Sequence, residues 1–546
     1  MTEQVLRIIP LGGLGEVGRN MMVYQYGDAY LVVDAGLMFP DSTMPGVDYI
    51  IPDIQFLLDK VDRIAGIIIT HGHEDHIGAI QHIVEEIPAP IYATPLTRGL
   101  LEVKLARSGL LSKASLNTVQ AGETVQVGPF QVEFFHVCHS VPDGVGLGIQ
   151  TPAGLVVHTG DYKFDQTPVD NWPTDYARLA EFSQRGVLAL LADSTNSERP
   201  GWTPSERVVD QALTQVFSQA KGRIILASFA SLISRMQQVA NAAAQFNRKL
   251  AFAGTSMVDN FKMARKLGYL EIDDQLLVNL DHALNLPDEQ VVIMCTGSQG
   301  EPSSILGRLS TGTYRQFDIQ PGDTVVLSSH PIPGNEENVY STVNRLFERG
   351  ADVLYEAIAP VHVSGHASQE EMKLLINLVR PRFLIPIHGE LRHLKQHARL
   401  GKQMGIPAEN ILVAENGQSI LLHQDKIELG ERVPTANIFV DGSGVGTVDH
   451  DIMRQRELLS QDGFVLISLV FDKYSSSLIQ TPSIFSQGFI LNGEASEIFD
   501  EVKRRVTEKA SRSNGNLQKD VEQLVRNYLY EQTRRSPRVF VQTARV

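Results

Sequence analysis

Three imidazoles and a carboxylate fall within six residues in His71-Gly72-His73-Glu74-Asp75-His76, the pattern H-x-H-x-D-H. Neutral imidazole and carboxylate oxygen bind borderline divalent cations, and no thiolate is present. That suits Zn²⁺ or Mn²⁺ and does not choose between them. The stretch follows the apolar run Ile67-Ile68-Ile69 and precedes a helical pattern at Ile77, Ile80, Val84 and Ile87, so it sits where a strand turns into a helix. We read it as part of a dinuclear site whose other ligands come from other strand ends. His139 follows the apolar segment 130–135, Asp161 follows 155–158 and His388 follows 383–387. The set closes with His71, His73 and His139 on one ion, Asp75, His76 and a further histidine on the second, and Asp161 bridging. Asp34 ends another apolar run, Tyr30-Leu31-Val32-Val33, and its carboxylate is expected to orient a ligand ring.

The elements that must hold these groups alternate between strand and helix. Near the start, Gly13-Leu14-Gly15-Glu16-Val17-Gly18 fits G-x-G-x-x-G, but a dinucleotide fingerprint needs a helix next. The chain instead continues into β-branched and aromatic runs around Gly27-Asp28, a hairpin, so the glycines are assigned to a tight turn beside the site. From Pro204 to Pro360 short apolar strands near Ile224, Leu250, Val291 and Thr324 alternate with helices, the pattern of a doubly wound α/β insert. Ser228-Phe229-Ala230-Ser231 and Ser364-Gly365-His366-Ala367-Ser368 fall where strands turn into helices. Hydroxyls and free main-chain N–H groups there make an anion pocket. His82 is expected at the surface, and His136, His158, His393 and His397 are expected to be structural. Residues 434–450, with Gly442, Gly444 and Gly446, read as a linker. Beyond it come a strand at 464–471, two more short strands, helices at 497–511 and 517–533 and a last strand at 539–541.

A chain of 546 residues implies two to four domains. The net charge of −15 argues against a general nucleic-acid binder, yet Arg207 to Leu270 carries nine basic residues against two acidic ones, which could meet a phosphate-rich substrate locally. Two cysteines cannot build a disulfide framework, and Cys138 should point away from His139 along its strand. With no apolar run of membrane-spanning length and no signal-like N-terminus, a cytoplasmic protein without membrane attachment is expected.

His71-x-His73-x-Asp75-His76, His139 and Gly160-Asp161 together resemble the metallo-β-lactamase superfamily. Asp193, His366 and His388 are similar to the three extra motifs of its β-CASP nucleases. The segments 12–20, 296–302 and 331–336 are similar to the bacterial ribonuclease J family, and the resemblance spans nearly the whole chain. His330 departs from it, since that family carries a small residue there. The resemblance implies an α/β architecture: a metallo-β-lactamase αββα sandwich (1–203 and 361–430), an inserted β-CASP α/β domain (204–360), a linker (431–455) and a small C-terminal α+β domain (456–546). It implies a two-metal ribonuclease with 5′→3′ exonuclease and endonuclease activity on single-stranded RNA, preferring 5′-monophosphate ends, in rRNA processing and mRNA decay. Asp75, His76, Asp193 and His366 would be catalytic, with His366 donating to the scissile phosphate or the leaving oxygen. His71, His73, Asp75, His76, His139, Asp161 and His388 would hold two divalent ions, Zn²⁺ in first place and Mn²⁺ in second. Ser228, Ser231, His362, Ser364, Gly365, His366, Ala367 and Ser368 would hold the 5′-monophosphate. The C-terminal domain would support a homodimer or homotetramer, and RNA-decay proteins would be partners. A DNA nuclease on the same scaffold and a non-catalytic RNA-binding scaffold are the competing readings. The histidine at 388 argues against the first and the complete ligand set against the second.

Overall fold

The computed structural model describes residues 5–41, 43–475, 477–490, 496–512 and 516–546; the N-terminal residues 1–4 lie outside them. Two sheets face each other. The first has eight strands in the order Ile427–Arg432, Gln418–Leu422, Leu6–Gly12, Met21–Tyr26, Ala29–Val33, Ile64–Ile68, Ile91–Ala93 and Leu116–Thr118. The second has six, in the order Phe383–Ile387, Val187–Asp193, Gly154–His158, Val145–Thr151, Phe130–His136 and Thr124–Val127. Side chains alternate along each strand, so the second sheet has two apolar faces. Phe134, Leu191 and Ile385 turn inward to meet Ile8, Tyr24, Leu31 and Ile68 of the first sheet. Phe135, Leu190 and Leu384 turn outward onto the helices Tyr176–Arg185, Gln369–Val379 and Leu391–Gln403. The helix Pro95–Arg107 packs on the first sheet. This is the expected αββα sandwich.

After Asp193 the chain leaves to build five parallel strands, in the order Lys249–Phe252, Val291–Cys295, Ile224–Ala227, Thr324–Leu327 and Asp352–Leu354, with helices between them. It then returns beside its point of departure. Strand Phe383–Ile387 pairs in parallel with Val187–Asp193, and Ile387 stands opposite Asp193. Residues on either side of the insert thus share one sheet edge.

A buried arginine ties the ends of the insert together. Arg235 is fully buried, pairs with Glu206 at 2.9 Å, and donates to Gln238 Oε1 at 2.7 Å and to the Val361 carbonyl at 2.6 Å. Glu206 lies where the insert begins and Val361 where it ends. Replacing Arg235 by Met leaves the Glu206 carboxylate buried without its cation, which costs about 3–5 kcal/mol. We expect a clear drop in the melting temperature of Arg235→Met, partly recovered when Glu206→Gln is added. An unchanged melting curve for the single variant would show that the pair does not hold the insert.

The C-terminal unit comprises Pro40–Asp48 and Phe439–Val546 by internal contact. Its sheet runs Ser483–Gln487, Phe464–Phe471, Arg538–Arg545, covered on one face by helices Ser496–Arg512 and Leu517–Thr533. Strand Phe464–Phe471 alternates between half-buried and buried side chains, as one packed face requires. Between 472 and 490 the described residues hold one strand rather than the two expected.

The linker expected at 431–455 is a correction. Strand Ile427–Arg432 runs across its start, Asn437–Asp441 and Gly444–Val445 form a hairpin, and helix His450–Asp462 crosses its end. Gly442 takes φ 57° in the hairpin turn and Asp449 caps the helix at the Ile452 N–H, so these residues punctuate structure rather than loosen it. The boundary expected at 455/456 falls inside that helix. The single helix expected after His76 is also broken, into Glu74–Ile77 and Ile80–Ile83. No helix among the described residues is long and apolar enough to cross a membrane.

Candidate metal centre

The expected ligands gather at one edge of the two sheets because each follows a strand that ends there. Asp34 comes first in the chain. It adopts φ 62°, a left-handed conformation that a non-glycine residue holds only against strain. In that position its carboxylate accepts the Thr70 N–H at 2.8 Å and the Thr70 hydroxyl at 2.9 Å, and lies 2.8 Å from His76 Nδ1. The His76 ring is thereby turned so that Nε2 faces Asp161 at 3.2 Å and Asp75 at 3.5 Å.

His139 donates from Nδ1 to the Gly365 carbonyl at 2.8 Å, which leaves Nε2 for the site. A Cβ on Gly365 would come within 2.6 Å of that ring, so only glycine fits. His139 Nε2 lies 3.0 Å and His71 Nε2 3.1 Å from His73 Nδ1. Burial pushes His71 and His139 well below the usual imidazole range and His73 down to about 4. The three rings are therefore neutral, with lone pairs brought together, which suits a small cation bonded to imidazole nitrogen at about 2.0–2.1 Å.

Asp161 is common to three overlapping groups. His71, His73, His139 and Asp161 form one; Asp75, His76, Asp161 and His388 form a second; Asp161, Asp193, His366 and His388 form a third; the ligand atoms of each lie within 4.8 Å of one another. Burial disfavours charge on His388, but Asp161 outweighs it and raises the ring to about 10. Asp161 Oδ1 and His388 Nδ1 are 2.8 Å apart, yet Asp161 Oδ1 and both His388 nitrogens are buried without a hydrogen-bond partner among the described residues. Buried polar atoms are rarely left so. Five imidazoles, two carboxylates and these unpartnered atoms fit two divalent ions.

Beside this set, His366 Nδ1 lies 2.8 Å from Asp193 Oδ2. Asp193 Oδ1 accepts the Thr195 N–H at 2.9 Å and hydroxyl at 2.7 Å, so the carboxylate is fixed. Burial opposes charge on His366, but Asp193 prevails and raises its pKa above the ordinary value.

The expected anion pocket divides. Ser231, His362 and Ser364 are half-buried, and His362 Nδ1 has no partner among the described residues. Burial, then the nearby Arg235, His330, Lys163 and Arg199, hold His362 well below its usual pKa. The main-chain N–H groups of Gly365 and Ala367 also meet no acceptor among the described residues. Ser228 and Ser368 correct the expectation for their side chains. Ser228 is fully buried with its hydroxyl on the Phe229 carbonyl. Ser368 is spent as the N-cap of helix Gln369–Val379, in a capping box with Glu371. Glu371 also accepts the N–H groups of Thr203 at 2.7 Å and Phe164 at 2.8 Å, binding three loops under the site.

The basic stretch of the insert divides: Arg223, Arg235 and Arg248 are buried, while Arg207, Lys221, Lys262 and Lys266 are exposed. Arg223 pairs with Asp323 at 2.6 Å, Arg235 with Glu206, and Arg248 donates to the carbonyls of Gly222 and Ala220. His82, expected at the surface, is half-buried with Nε2 2.9 Å from the Tyr49 hydroxyl. His136, His158, His393 and His397 bond to Pro173 O, Tyr24 OH, Glu390 N–H and Ser194 Oγ. The residues that sequence reasoning missed are mostly neutral: Asn20, whose Nδ2 lies 3.2 Å from His76 Nε2; Ser140, 3.3 Å from His73 Nε2; and Asn196, which donates to Ser364 Oγ and to the His366 carbonyl.

Family models match four stretches: the metallo-beta-lactamase superfamily over 14–196, the ribonuclease J beta-CASP domain over 221–346, the Zn-dependent metallo-hydrolase RNA specificity domain over 350–412, and the ribonuclease J C-terminal domain over 451–546. The chain is 40% identical to ribonuclease J2 of Bacillus subtilis (strain 168), covering 98% of each, and 42% identical to ribonuclease J of Thermus thermophilus, covering 96% of this chain and 91% of that one. A solved structure of a protein of unknown function from Enterococcus faecalis V583 shares the fold at a TM-score of 0.54 and 16% identity, over 77% of this chain and all of that one. The chain belongs to the ribonuclease J family, metal-dependent ribonucleases of the metallo-β-lactamase superfamily.

Proposed function

We propose that the protein degrades and matures single-stranded RNA as a 5′→3′ exonuclease that also cuts internally, favouring 5′-monophosphate ends. The observation that carries this reading is the adjacency of the Asp161-linked ligand groups to the His366–Asp193 pair at 2.8 Å. His71, His73 and His139 would hold one ion and Asp75, His76 and His388 the other, with Asp161 between. We take the ions to be Zn²⁺, with Mn²⁺ as the alternative. When bound, two such ions ionise a water near neutral pH and neutralise charge on a phosphodiester. The chain's own groups do the rest. Asp34 fixes the His76 ring, and the Gly365 carbonyl fixes His139. His366, kept protonated by Asp193, gives its proton from Nε2 to the leaving oxygen.

The 5′ end is assigned to Ser231, His362, Ser364 and the main-chain N–H groups of Gly365 and Ala367, with Ser228 and Ser368 supporting from beneath. His362 supplies an unpartnered nitrogen in a field of cations. The C-terminal unit carries Phe464, Phe485 and Phe540 together on its open sheet face, Phe485 and Phe540 being exposed, which supports a homodimer or homotetramer. Both cysteines are free and buried, in keeping with a reducing cytoplasm where RNA-decay proteins would be partners.

The test compares one RNA sequence with a 5′-monophosphate, a 5′-triphosphate and a 5′-hydroxyl against single-stranded DNA. The monophosphate is expected to be cleaved fastest, and Ser231→Ala to shrink its advantage about tenfold, the value of one charge-assisted hydrogen bond. Equal cleavage of DNA would overturn the RNA assignment. An unchanged preference in Ser231→Ala would overturn the pocket.

A further inference from the structure

The chain has two tryptophans and both are exposed, although tryptophan is highly buried on average. Trp172 gives a face to the His136 ring, with centroids 3.8 Å apart and planes 6° from parallel. Trp202 is 52% exposed, and among the described residues no ring or cation stacks on it.

The turn that carries Trp202 is tied to the first residues of helix Gln369–Val379. The Gln369 N–H donates to the Arg199 carbonyl at 3.0 Å and the Glu370 N–H to the Gly201 carbonyl at 3.0 Å. At the next residue along the chain, the Thr203 hydroxyl donates to the His366 carbonyl at 2.7 Å. Trp202 is thus one residue from a direct bond to the main chain of the proposed acid. Arg199, three residues earlier, has no carboxylate partner among the described residues; its Nη2 lies 3.3 Å from His330 Nε2. The acidic neighbours are already engaged, Glu198 by Arg392, Glu370 by Lys373, and Glu356 by His330, which stands between it and Arg199.

An exposed indole on a tethered turn, three residues from a guanidinium that no carboxylate pairs directly, suits a single-stranded nucleic acid: the ring meets a base face and the cation a phosphate. We propose that Trp202 stacks on a base next to the scissile phosphate and that Arg199 holds a phosphate of the same strand. This step rests on the single-stranded RNA reading above. It grips without regard to sequence, since every base offers a π-face.

In a Trp172→Phe chain Trp202 is the sole indole. The metal-loaded protein is titrated with a phosphorothioate RNA dodecamer carrying a 3′ dye, and indole emission and dye anisotropy are followed together. Emission is expected to be quenched along the anisotropy curve. Trp202→Ala is expected to raise Kd and KM about tenfold with kcat within about twofold, and Trp202→Phe to recover most of the loss. Arg199→Gln is expected to flatten the slope of log Kd against log salt by about 0.7. Binding seen by anisotropy with unchanged emission overturns the proposal alone, as does a Trp202→Ala that loses kcat at constant KM. If neither signal responds, the proposal falls together with the RNA reading.

Discussion

Asp161→Asn is expected to lose both ions and to cut RNA cleavage by at least about 10⁴-fold, because a metal pair contributes several kcal/mol to the transition state. The expectation follows from sharing. Asp161 is the member common to the ligand groups, and its two oxygens reach different partners: Oδ1 lies 2.8 Å from His388 Nδ1, while Oδ2 lies 3.2 Å from His76 Nε2 and 3.6 Å from His71 Nε2. Asparagine keeps the shape, removes the charge and places an NH₂ where a lone pair must be. Ligands that serve one group should behave differently. His139→Ala removes one partner of the first group and His388→Ala one of the second, so each should retain about one ion per chain. Elemental analysis of the purified variants beside an RNA cleavage assay checks the order. An Asp161→Asn protein that keeps two ions would refute a shared ligand, and so would one that retains near-normal cleavage.

The parts of the site visible in the sequence were the local ones. H-x-H-x-D-H needs only one turn of chain, and His139, Asp161 and His388 each follow an apolar strand, so both ligand type and strand-end position could be read directly. The meeting of Asp193 with His388 could not. It depends on the parallel pairing of two strands separated by the whole insert, and only the resemblance to a known family joined them. Asn20, Thr70 and Ser140 were invisible for another reason. They are ordinary neutral side chains that gain a role only once Asp34 takes its left-handed turn and the loops close around it. Ser368 shows one residue open to two readings: Ser-x-x-Glu before an apolar helix is a capping box, and its hydroxyl serves as that cap. The basic run in the insert was legible only as a count, because a count does not say which of its members carboxylates from other segments will bury, as Asp323 and Glu206 do with Arg223 and Arg235. The glycines near 442 failed as a linker because turns and flexible chain use the same residue.

His366→Ala is expected to lower kcat for RNA by about 10²–10⁴-fold while both ions stay bound, since the groups of His71, His73 and His139 and of Asp75, His76 and His388 are complete without it and its Nδ1 is taken by Asp193; a lost ion would instead make it a ligand of the third group, with Asp161, Asp193 and His388. Two roles could produce such a loss. A protonated imidazole can neutralise the scissile phosphate, or it can protonate the departing oxygen. The leaving group separates them. An RNA 3′-side alkoxide needs a proton to depart, whereas p-nitrophenolate leaves as an anion near neutral pH. If His366 is the acid, the loss on RNA should shrink to within about tenfold on a p-nitrophenyl phosphodiester, because that step needs no donor. If His366 only binds the phosphate, both substrates should suffer alike. Asp193→Asn sharpens the comparison. The amide can still accept the Thr195 bonds, but it cannot hold the ring as a cation with Nε2–H facing the substrate, so its profile over the two substrates should follow that of His366→Ala. Equal losses on both substrates, with metal content intact, would take the acid role from His366 and leave it as a phosphate ligand.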